Sequence, residues 1–152
     1  MDEIGGDPSF SDWGRADSRE ALFDFDEFGS VKIRGSPDGA FRGLPVELKT
    51  VVSSIEDGAS TWKIRSYSLQ VASYQKTHGT NSTITPAILI IVSIKDGHVL
   101  ALELPPSNYK RAMTAWKRNL TVAYGGVYGF GRRYWDEVSG SECEAGMSVA
   151  TT

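Results

Sequence analysis

Alternating and continuous apolar positions divide the chain into segments with strand-like and helix-like patterns. Every second position is apolar in a strand with one buried face, and a continuous aliphatic run indicates a strand that is buried on both faces. Apolar positions spaced three and four residues apart indicate a helix. On these criteria the sequence predicts strands at residues 21–26, 31–34, 44–52, 87–94 and 98–104, and helices at about residues 66–76 and 109–123.

The second half of the chain has the clearest element signals. Ala87–Ile94 is a continuous aliphatic run, and the Asp-Gly step after it is typical of a hairpin turn into the next strand. In the last helix, Met113, Trp116 and Leu120 form an apolar stripe. The order of strands, helix, strand pair and helix predicts an α/β (α+β) domain with a central mixed β-sheet flanked by helices.

Length and composition indicate one globular domain. The chain has 152 residues, of which 40% are hydrophobic and 23% are charged, and this is enough for a single buried core. Residues 1–18 are rich in Gly, Asp and Ser and lack a sustained period, which predicts an acidic, loosely ordered N-terminal arm. The folded domain is predicted at residues 19–135, and residues 136–152 are predicted to be a polar C-terminal tail.

No segment has the pattern of a membrane span or a secretory signal. The longest apolar run, Pro86–Val92, is far shorter than the roughly 20 residues that a spanning helix needs. The acidic N-terminus has no apolar signal region. The single cysteine, Cys143, excludes a disulfide framework and a multi-cysteine metal or cluster site. The sequence therefore predicts an intracellular protein, in the cytoplasm or, in a eukaryote, the nucleus.

Charge is unevenly distributed along the chain. The formal net charge is −3, and the first 30 residues hold nine acidic and two basic side chains. The remaining residues hold ten acidic and fourteen basic side chains, a balance of +4. Because a phosphate backbone is recognised by local patches rather than by total charge, this distribution neither favours nor forbids a nucleic-acid substrate.

The candidate chemistry lies on two predicted neighbouring strands around a Gly-containing turn. Asp38 lies near the end of one strand and Glu47 on the next, and adjacent strands are about 4.8 Å apart, so both carboxylates can reach one cation. Lys49 projects from the same face as Glu47. This triangle suits metal-assisted phosphodiester hydrolysis, in which carboxylates hold Mg²⁺ and the ammonium stabilises the transition state. A solvated strand face, with Val46 and Leu48 packed on the other side, also explains the Glu-x-Lys pattern.

A third element extends the pattern onto the first predicted helix. Gln70 and Tyr74 are four residues apart and so lie on one helix face. Together with Gly35-Ser-Pro-Asp38 and Glu47-Leu-Lys49, this order resembles the PD-(D/E)XK nuclease superfamily, and within it the RecB-like branch. The resemblance covers roughly residues 20–124. It implies a restriction-endonuclease-like fold.

The resemblance also implies a role for each residue of the motif. Asp38 and Glu47 would be metal ligands, with the backbone carbonyl of Leu48 as a further ligand. Lys49 would be the catalytic lysine. The helical glutamine and tyrosine would position the metal shell or the DNA backbone, although a helix packed on the sheet also explains the tyrosine.

The upstream acidic ligand of the family has two candidates. Glu20, just before the first predicted strand, lies where the family has a helical Glu, and Glu27 is the alternative. The upstream His of some branches is missing, because His78 and His98 both lie downstream. The iron–sulfur form of the RecB-like branch needs four cysteines and is excluded, since the chain has one.

Nucleic-acid contacts are predicted on the last helix and after it. Basic residues separated by seven positions share one helix face, which suits either a phosphate-tracking surface or a solvated face. Tyr128–Trp135 interleaves aromatic and basic residues, which suits either stacking on splayed bases or capping of the core. The candidate nucleic-acid-binding residues are Lys110, Arg111, Lys117, Arg118, Arg132 and Arg133.

The resemblance implies a deoxyribonuclease that depends on Mg²⁺ or Mn²⁺ and acts on single strands or ends, as an exonuclease or an endonuclease. The chain has no Gly-x-x-x-x-Gly-Lys-Ser/Thr motif, so unwinding would come from a partner such as a helicase or another replication or repair protein. Association into a homo-oligomer stays open. Two alternatives are a catalytically silent nuclease-fold binding module and an RNA endonuclease of the cap-snatching kind, whose expected upstream His is absent.

Overall fold

The chain forms eight strands and three helices over residues 2–3 and 12–121, which are the residues that the structure, a computed structural model, describes. The strands are β1 (Asp2–Glu3), β2 (Trp13–Gly14), β3 (Arg19–Asp24), β4 (Ser30–Gly35), β5 (Gly39–Phe41), β6 (Leu44–Val51), β7 (Ala87–Ser93) and β8 (Val99–Leu104). The helices are α1 (Ile55–Gly58), α2 (Thr61–Thr77) and α3 (Ser107–Leu120), with a short 3-10 helix at Asp26–Phe28. The predicted C-terminal tail and the aromatic and basic segment before it, with Arg132 and Arg133, lie outside the described residues.

Six strands form the central sheet, in the order β1-β8-β7-β6-β5-β2. β6 and β7 are parallel, with Val46 opposite Ile88 and Val51 opposite Ser93, and the other described pairings of the sheet are antiparallel. A parallel pair needs a long crossover, and α1 and α2 provide it between β6 and β7. The prediction of an α+β domain with a mixed sheet flanked by helices is confirmed.

β3 and β4 form a separate two-stranded sheet and do not join the central one. Phe23 and Ile33 are buried, and they pack with Phe25 against Ala72 of α2 and Trp116 of α3. The helices thus give the hairpin the apolar layer that two strands need for stability. α2 contacts both sheets and lies between them.

α2 begins earlier than the apolar spacing predicts, at Thr61 rather than near Ser66. Trp62 in the first turn is exposed, so the apolar period is weak where the helix starts. Ile64 and Tyr67 then pack, with Val71, against the core residues of the central sheet. No helix in the described part of the chain is long and apolar enough to cross a membrane.

A buried polar network fixes α2 against the end of β8 and the start of α3. The Gln75 amide donates to the carbonyls of Leu104, at 3.2 Å, and Pro105, at 2.9 Å. Asn108 donates to Gln75 Oε1 and to the carbonyl of Ser68, both at 2.9 Å. Buried polar groups with satisfied hydrogen bonds favour a single packing arrangement. The network therefore sets the position of the helix that carries two of the predicted site residues.

Part of the predicted N-terminal arm joins the central sheet. β1 pairs with β8, and β2 pairs with β5, where Trp13 lies opposite Phe41 with the ring centroids 4.7 Å apart. The carbonyl of Asp17 lies 2.6 Å from Nε2 of His78, at the end of α2. These contacts attach the described residues of the arm to the body of the domain.

Candidate active site

The β5–β6 hairpin brings Asp38 beside Glu47. Its two-residue turn, Arg42-Gly43, has positive φ at both positions, 49° and 78°, as in the type I′ turns that match the twist of paired strands. Gly39 is the register partner of Val46, but the N–H of Asp38 also donates to the Val46 carbonyl at 2.9 Å. Two consecutive residues therefore face one residue of β6, as in a β-bulge, a feature that re-aims the neighbouring side chain.

Asp38 is held by one carboxylate oxygen and is open at the other. Its Oδ2 accepts a hydrogen bond from the backbone N–H of Leu48 at 2.8 Å. Asp38 is exposed, and no donor among the described residues reaches its Oδ1. The backbone of β6 thus orients a carboxylate whose second oxygen is available to solvent or to a ligand.

Glu47 is the buried acid of the site, with only 4% of its surface exposed. Its Oε1 accepts from Lys49 Nζ at 2.5 Å and from Gln70 Nε2 at 2.8 Å, and its Oε2 accepts from the Tyr74 hydroxyl at 2.8 Å. A buried charge is tolerated when it is paired and hydrogen-bonded, and these three donors meet that requirement. The solvated-face interpretation is therefore wrong for Glu47. Glu47, Lys49, Gln70 and Tyr74 are called the site network below.

Gln70 bridges the acid and the lysine of the site network. Its Oε1 accepts from Lys49 Nζ at 2.7 Å, while its Nε2 donates to Glu47 and also to the Tyr74 hydroxyl at 3.2 Å. An amide that accepts on one side and donates on the other has only one orientation that satisfies both neighbours. The Lys49 side chain is 24% exposed, so a ligand in solution can contact the site network at this lysine.

Burial and neighbouring charge raise the pKa of Tyr74. Loss of hydration is the largest cause, followed by the negative charge of Glu47. The negative charge of Asp38 acts more weakly in the same direction. The hydroxyl is therefore protonated at neutral pH and acts as a donor to Glu47.

Gly35, at the end of β4, lets the strand pass close to α2 beside Tyr74. A Cβ at this position would overlap the Thr77 hydroxyl and lie 3.1 Å from Cδ1 of Tyr74. Glycine is the residue that permits such an approach of backbone to side chain. The first residue of the Gly35–Asp38 motif is thus explained by close packing against α2.

Leu48 contributes a different backbone group from the one that the resemblance implies. Its N–H binds Asp38, whereas the implied metal ligand is its carbonyl, for which the structure gives no contact to the site. The Leu48 side chain is 46% exposed, whereas Val46 on the same strand face is 3% exposed. The sequence predicts that both side chains are packed, which is confirmed for Val46 and wrong for Leu48.

Glu20 lies outside the site network. It belongs to β3 rather than to a segment before the first strand, and its carboxylate pairs on β4 with Arg34 at 3.0 Å and Lys32 at 3.8 Å. Glu27 is exposed in the 3-10 helix. Within residues 2–3 and 12–121, no three His, Cys, Asp or Glu side chains are gathered as a metal-binding group. Asp38 and Glu47 are therefore the two carboxylates of the described site.

The predicted basic face of α3 is divided by one ion pair. Lys117 Nζ lies 2.6 Å from Asp26 Oδ2, so its charge is neutralised within the molecule. Lys110, Arg111 and Arg118 are exposed, and none forms an ion pair among the described residues. Three of the four α3 residues thus present unpaired positive charge to solvent.

Tyr67 belongs to the site although the motif does not include it. The spacing predicts Tyr67 only as an apolar position of the helix, yet the Lys49 ammonium lies 5.7 Å from the centroid of its ring. Its place three residues before Gln70, on a neighbouring part of the helix surface, is the signal that connects it with the site.

The donor set of the site fits a hard divalent cation. Mg²⁺ and Mn²⁺ prefer oxygen ligands, and Mg²⁺ is usually bound by one or two carboxylates and several waters. Asp38 Oδ1 accepts no hydrogen bond from the described residues, and Glu47 Oε2 accepts one, which leaves a lone pair on each oxygen. The residues present therefore fit a Mg²⁺ or Mn²⁺ ion with an incomplete protein shell.

Comparison with known proteins finds no matching family model, no similar curated protein and no similar solved structure. The geometry of Asp38 and the site network is therefore the basis on which a function is proposed.

Proposed function

We propose that the chain is a Mg²⁺- or Mn²⁺-dependent deoxyribonuclease that hydrolyses phosphodiester bonds in single strands or at ends. One observation carries the proposal: β6, α2 and the segment between β4 and β5 bring five predicted site residues together, namely Asp38, Glu47, Lys49, Gln70 and Tyr74. Four of them share a hydrogen-bonded network, and Asp38 is fixed beside it by the backbone. Packing alone does not require an acid, a lysine and a glutamine together at a buried position, whereas phosphodiester hydrolysis uses such groups.

The position of the site in the fold supports the same proposal. Glu47 and Lys49 lie on β6, in the interior of the central sheet between β5 and β7. Side chains on an interior strand are held more rigidly than those on a loop, which favours the alignment that catalysis needs. We infer a restriction-endonuclease-like arrangement of the PD-(D/E)XK kind, in the RecB-like form without an iron–sulfur cluster.

In this proposal the side chains have distinct roles. Asp38 and Glu47 would hold the ion, which when bound would polarise the scissile phosphate and lower the pKa of the attacking water. Lys49 would neutralise the charge that builds on the phosphate oxygens. Gln70 keeps the ammonium and the buried carboxylate in a fixed relative position, and Tyr74 fixes the second oxygen of that carboxylate.

Cleavage of end-labelled DNA and RNA tests the proposal. Single- and double-stranded substrates are incubated with Mg²⁺, Mn²⁺ or EDTA, and the product ladder gives substrate, polarity and metal dependence together. We expect cleavage of single-stranded DNA or of duplex ends with either metal and none in EDTA. Asp38→Asn and Glu47→Gln should each lower the rate about 100-fold or more, because each removes an anionic ligand. The double variant should be no slower than the slower single variant, since the two residues act as a unit.

Glu56→Gln is a matched control for these substitutions. Glu56 is an exposed acid of α1 that takes no part in the site network, and its variant should cleave as the wild type does. Near-full activity of Asp38→Asn with Mg²⁺ would show that the site is wrongly assigned. Cleavage of RNA but not of DNA would show that the substrate is RNA, which would favour the RNA endonuclease alternative. Absence of cleavage of every substrate would favour the alternative of a catalytically silent binding module.

A further inference from the structure

Trp62 exposes an indole ring on the first turn of α2. Its surface is 69% exposed, against 43% for Trp13, whose ring packs on Phe41. The Lys63 ammonium lies 5.8 Å from the centroid of the Trp62 ring. A large aromatic ring gains free energy when it leaves water for an apolar or aromatic partner. Trp62 therefore offers an open face to a ligand.

The first turns of α2 lead to the site network. Lys63 lies seven residues before Gln70 and so shares its helix face. Tyr67 lies between them, and its ring faces the Lys49 ammonium at 5.7 Å. At a rise of 1.5 Å per residue, Trp62 is about 12 Å from Gln70 along the helix axis, which corresponds to about three stacked nucleotides of one strand.

The same turns of α2 carry unpaired positive charge. The first turn has no acidic residue, and neither Lys63 nor Arg65 forms an ion pair among the described residues. Arg65 is exposed and lies three residues after Trp62, so the two are neighbours on the helix surface. An aromatic ring flanked by cations binds a base through its face and the adjoining phosphates through its charge.

We propose that the first two turns of α2 bind the unpaired flank of a DNA strand whose scissile phosphate lies at Lys49. Trp62 stacks on a base of that flank, and Lys63 contacts the backbone between this base and the site. The inference rests on the proposed nuclease function and gives its preference for single strands or ends a physical cause. A base inside a duplex is stacked on its neighbours, whereas an unpaired base is free to stack on a protein ring.

Binding of dye-labelled oligonucleotides in EDTA tests the inference without cleavage. The ligands are a single strand, a blunt duplex and duplexes with a 5′ or 3′ overhang, and fluorescence anisotropy gives their affinity for the full chain. Trp62→Ala should weaken single-strand and overhang binding by about 5- to 150-fold and leave blunt-duplex binding unchanged, and Trp62→Phe should restore most of the loss. Lys63→Gln should flatten the dependence of log affinity on log salt, making its negative slope shallower by about 0.7.

Two substitutions of exposed residues elsewhere are the controls. Leu22→Ala truncates a side chain on β3 that is 62% exposed, and Lys95→Gln neutralises an exposed lysine of the β7–β8 turn. Neither should change affinity for any ligand. Abasic sites placed one at a time along the single strand locate the stacked base, because removal of that base should abolish the effect of Trp62→Ala.

The outcomes separate this inference from the proposed function. If the wild type cleaves DNA but Trp62→Ala binds single strands as tightly as the wild type, the inference is overturned and the nuclease function stands. If single strands bind in a Trp62-dependent way but no substrate is cleaved, the inferred binding surface is supported and the hydrolytic function is overturned. A wild type that neither binds nor cleaves would overturn both.

Discussion

Glu47 and Lys49 form an ion pair in surroundings unlike those of the surface pairs of the same molecule. Their side chains are 5% and 24% exposed, whereas those of Glu20 and Arg34 are 41% and 66% exposed. Exposed ion pairs contribute little to the free energy of unfolding, because solvent screening and the loss of side-chain entropy offset the attraction between the charges. A buried pair is strongly coupled, because removal of one partner leaves the other charge uncompensated.

Lys49→Met should therefore lower the free energy of unfolding by about 3 kcal/mol, because Glu47 stays buried without its cation. Addition of Glu47→Gln should recover part of the loss, with a coupling free energy of at least about 1 kcal/mol in the double-mutant cycle. All three variants should cleave at least about 100-fold more slowly than the wild type. Urea denaturation at neutral pH measures the cycle, and Lys32→Met, at the exposed Glu20 carboxylate, is the control, with an expected loss below about 1 kcal/mol. Strictly additive losses at Glu47 and Lys49 would contradict the pairing.

The sequence predicts which residues of the site meet but not how deeply they are buried. Asp38, Glu47 and Lys49 follow from strand spacing and from the side-chain alternation of a strand. The burial of Glu47 does not, because the same alternation occurs on a solvated strand face. It depends on α2, which covers this face of the sheet and brings Gln70 and Tyr74 onto the carboxylate. That contact is tertiary and has no local signal in β6.

At the scale of elements, the approach of β4 to α2 aligns the tyrosine of the site. Gly35→Ala should push the strand from the helix, because the added methyl group would overlap the Thr77 hydroxyl. Overpacking of this kind costs about 1–3 kcal/mol of stability, and the cleavage rate should fall as Tyr74 loses its alignment with Glu47. Denaturation and initial rates measure the two effects.

Gly14→Ala on β2 is the matched control for this substitution. A Cβ there would meet no atom within 4 Å, so stability and rate should both stay at the wild-type level. A Gly35→Ala protein that is as stable and as active as Gly14→Ala would show that the close approach does not position Tyr74.

Elements with strong local signals are predicted well, and elements that depend on packing are not. β7 and β8 follow from an aliphatic run and an Asp-Gly turn, and their observed bounds lie within a residue of the prediction. β5 is only Gly39–Phe41, too short for a pattern, and is stabilised by pairing with β6 and β2. β3 and β4 are separate from the central sheet because their apolar side chains, such as Phe23, pack against α2 and α3. The strand pattern alone does not show which apolar faces will meet.

At the scale of the whole molecule, the acidic and basic parts of the chain interact. Asp26, from the acidic first segment, neutralises Lys117 on α3, whereas Arg111 and Arg118 are exposed and have no ionic partner among the described residues. A surface that tracks phosphates works through unpaired charges, since these release the counterions of the nucleic acid on binding. The contribution of α3 to binding should therefore come from Lys110, Arg111 and Arg118 rather than from Lys117.

Neutralisation of Arg111 and Arg118 by Gln should flatten the dependence of log affinity on log salt by about 0.7–0.9 for each lost contact. Lys117→Gln is the internal control and should leave the slope nearly unchanged, because Asp26 already pairs with its ammonium. Affinities for single-stranded and duplex DNA over a range of salt concentrations measure the slopes. Equal slopes for the wild type and the double arginine variant would remove α3 from the substrate path.

The residues of the site are separated by short stretches of sequence, which affects the order in which the molecule folds. Its hydrogen bonds between different segments of the chain span from 10 positions, between Asp38 and Leu48, to 27 positions, between Glu47 and Tyr74. The link between Ser53 and Ser93, at the ends of the parallel strands, spans 40 positions, and a parallel pair forms only after its crossover has been closed. We therefore expect β5, β6 and α2 to assemble first and the docking of β7 to limit the folding rate, since non-local pairing is slow. The side chains of the proposed catalytic site would then be in contact before the sheet beneath them is complete.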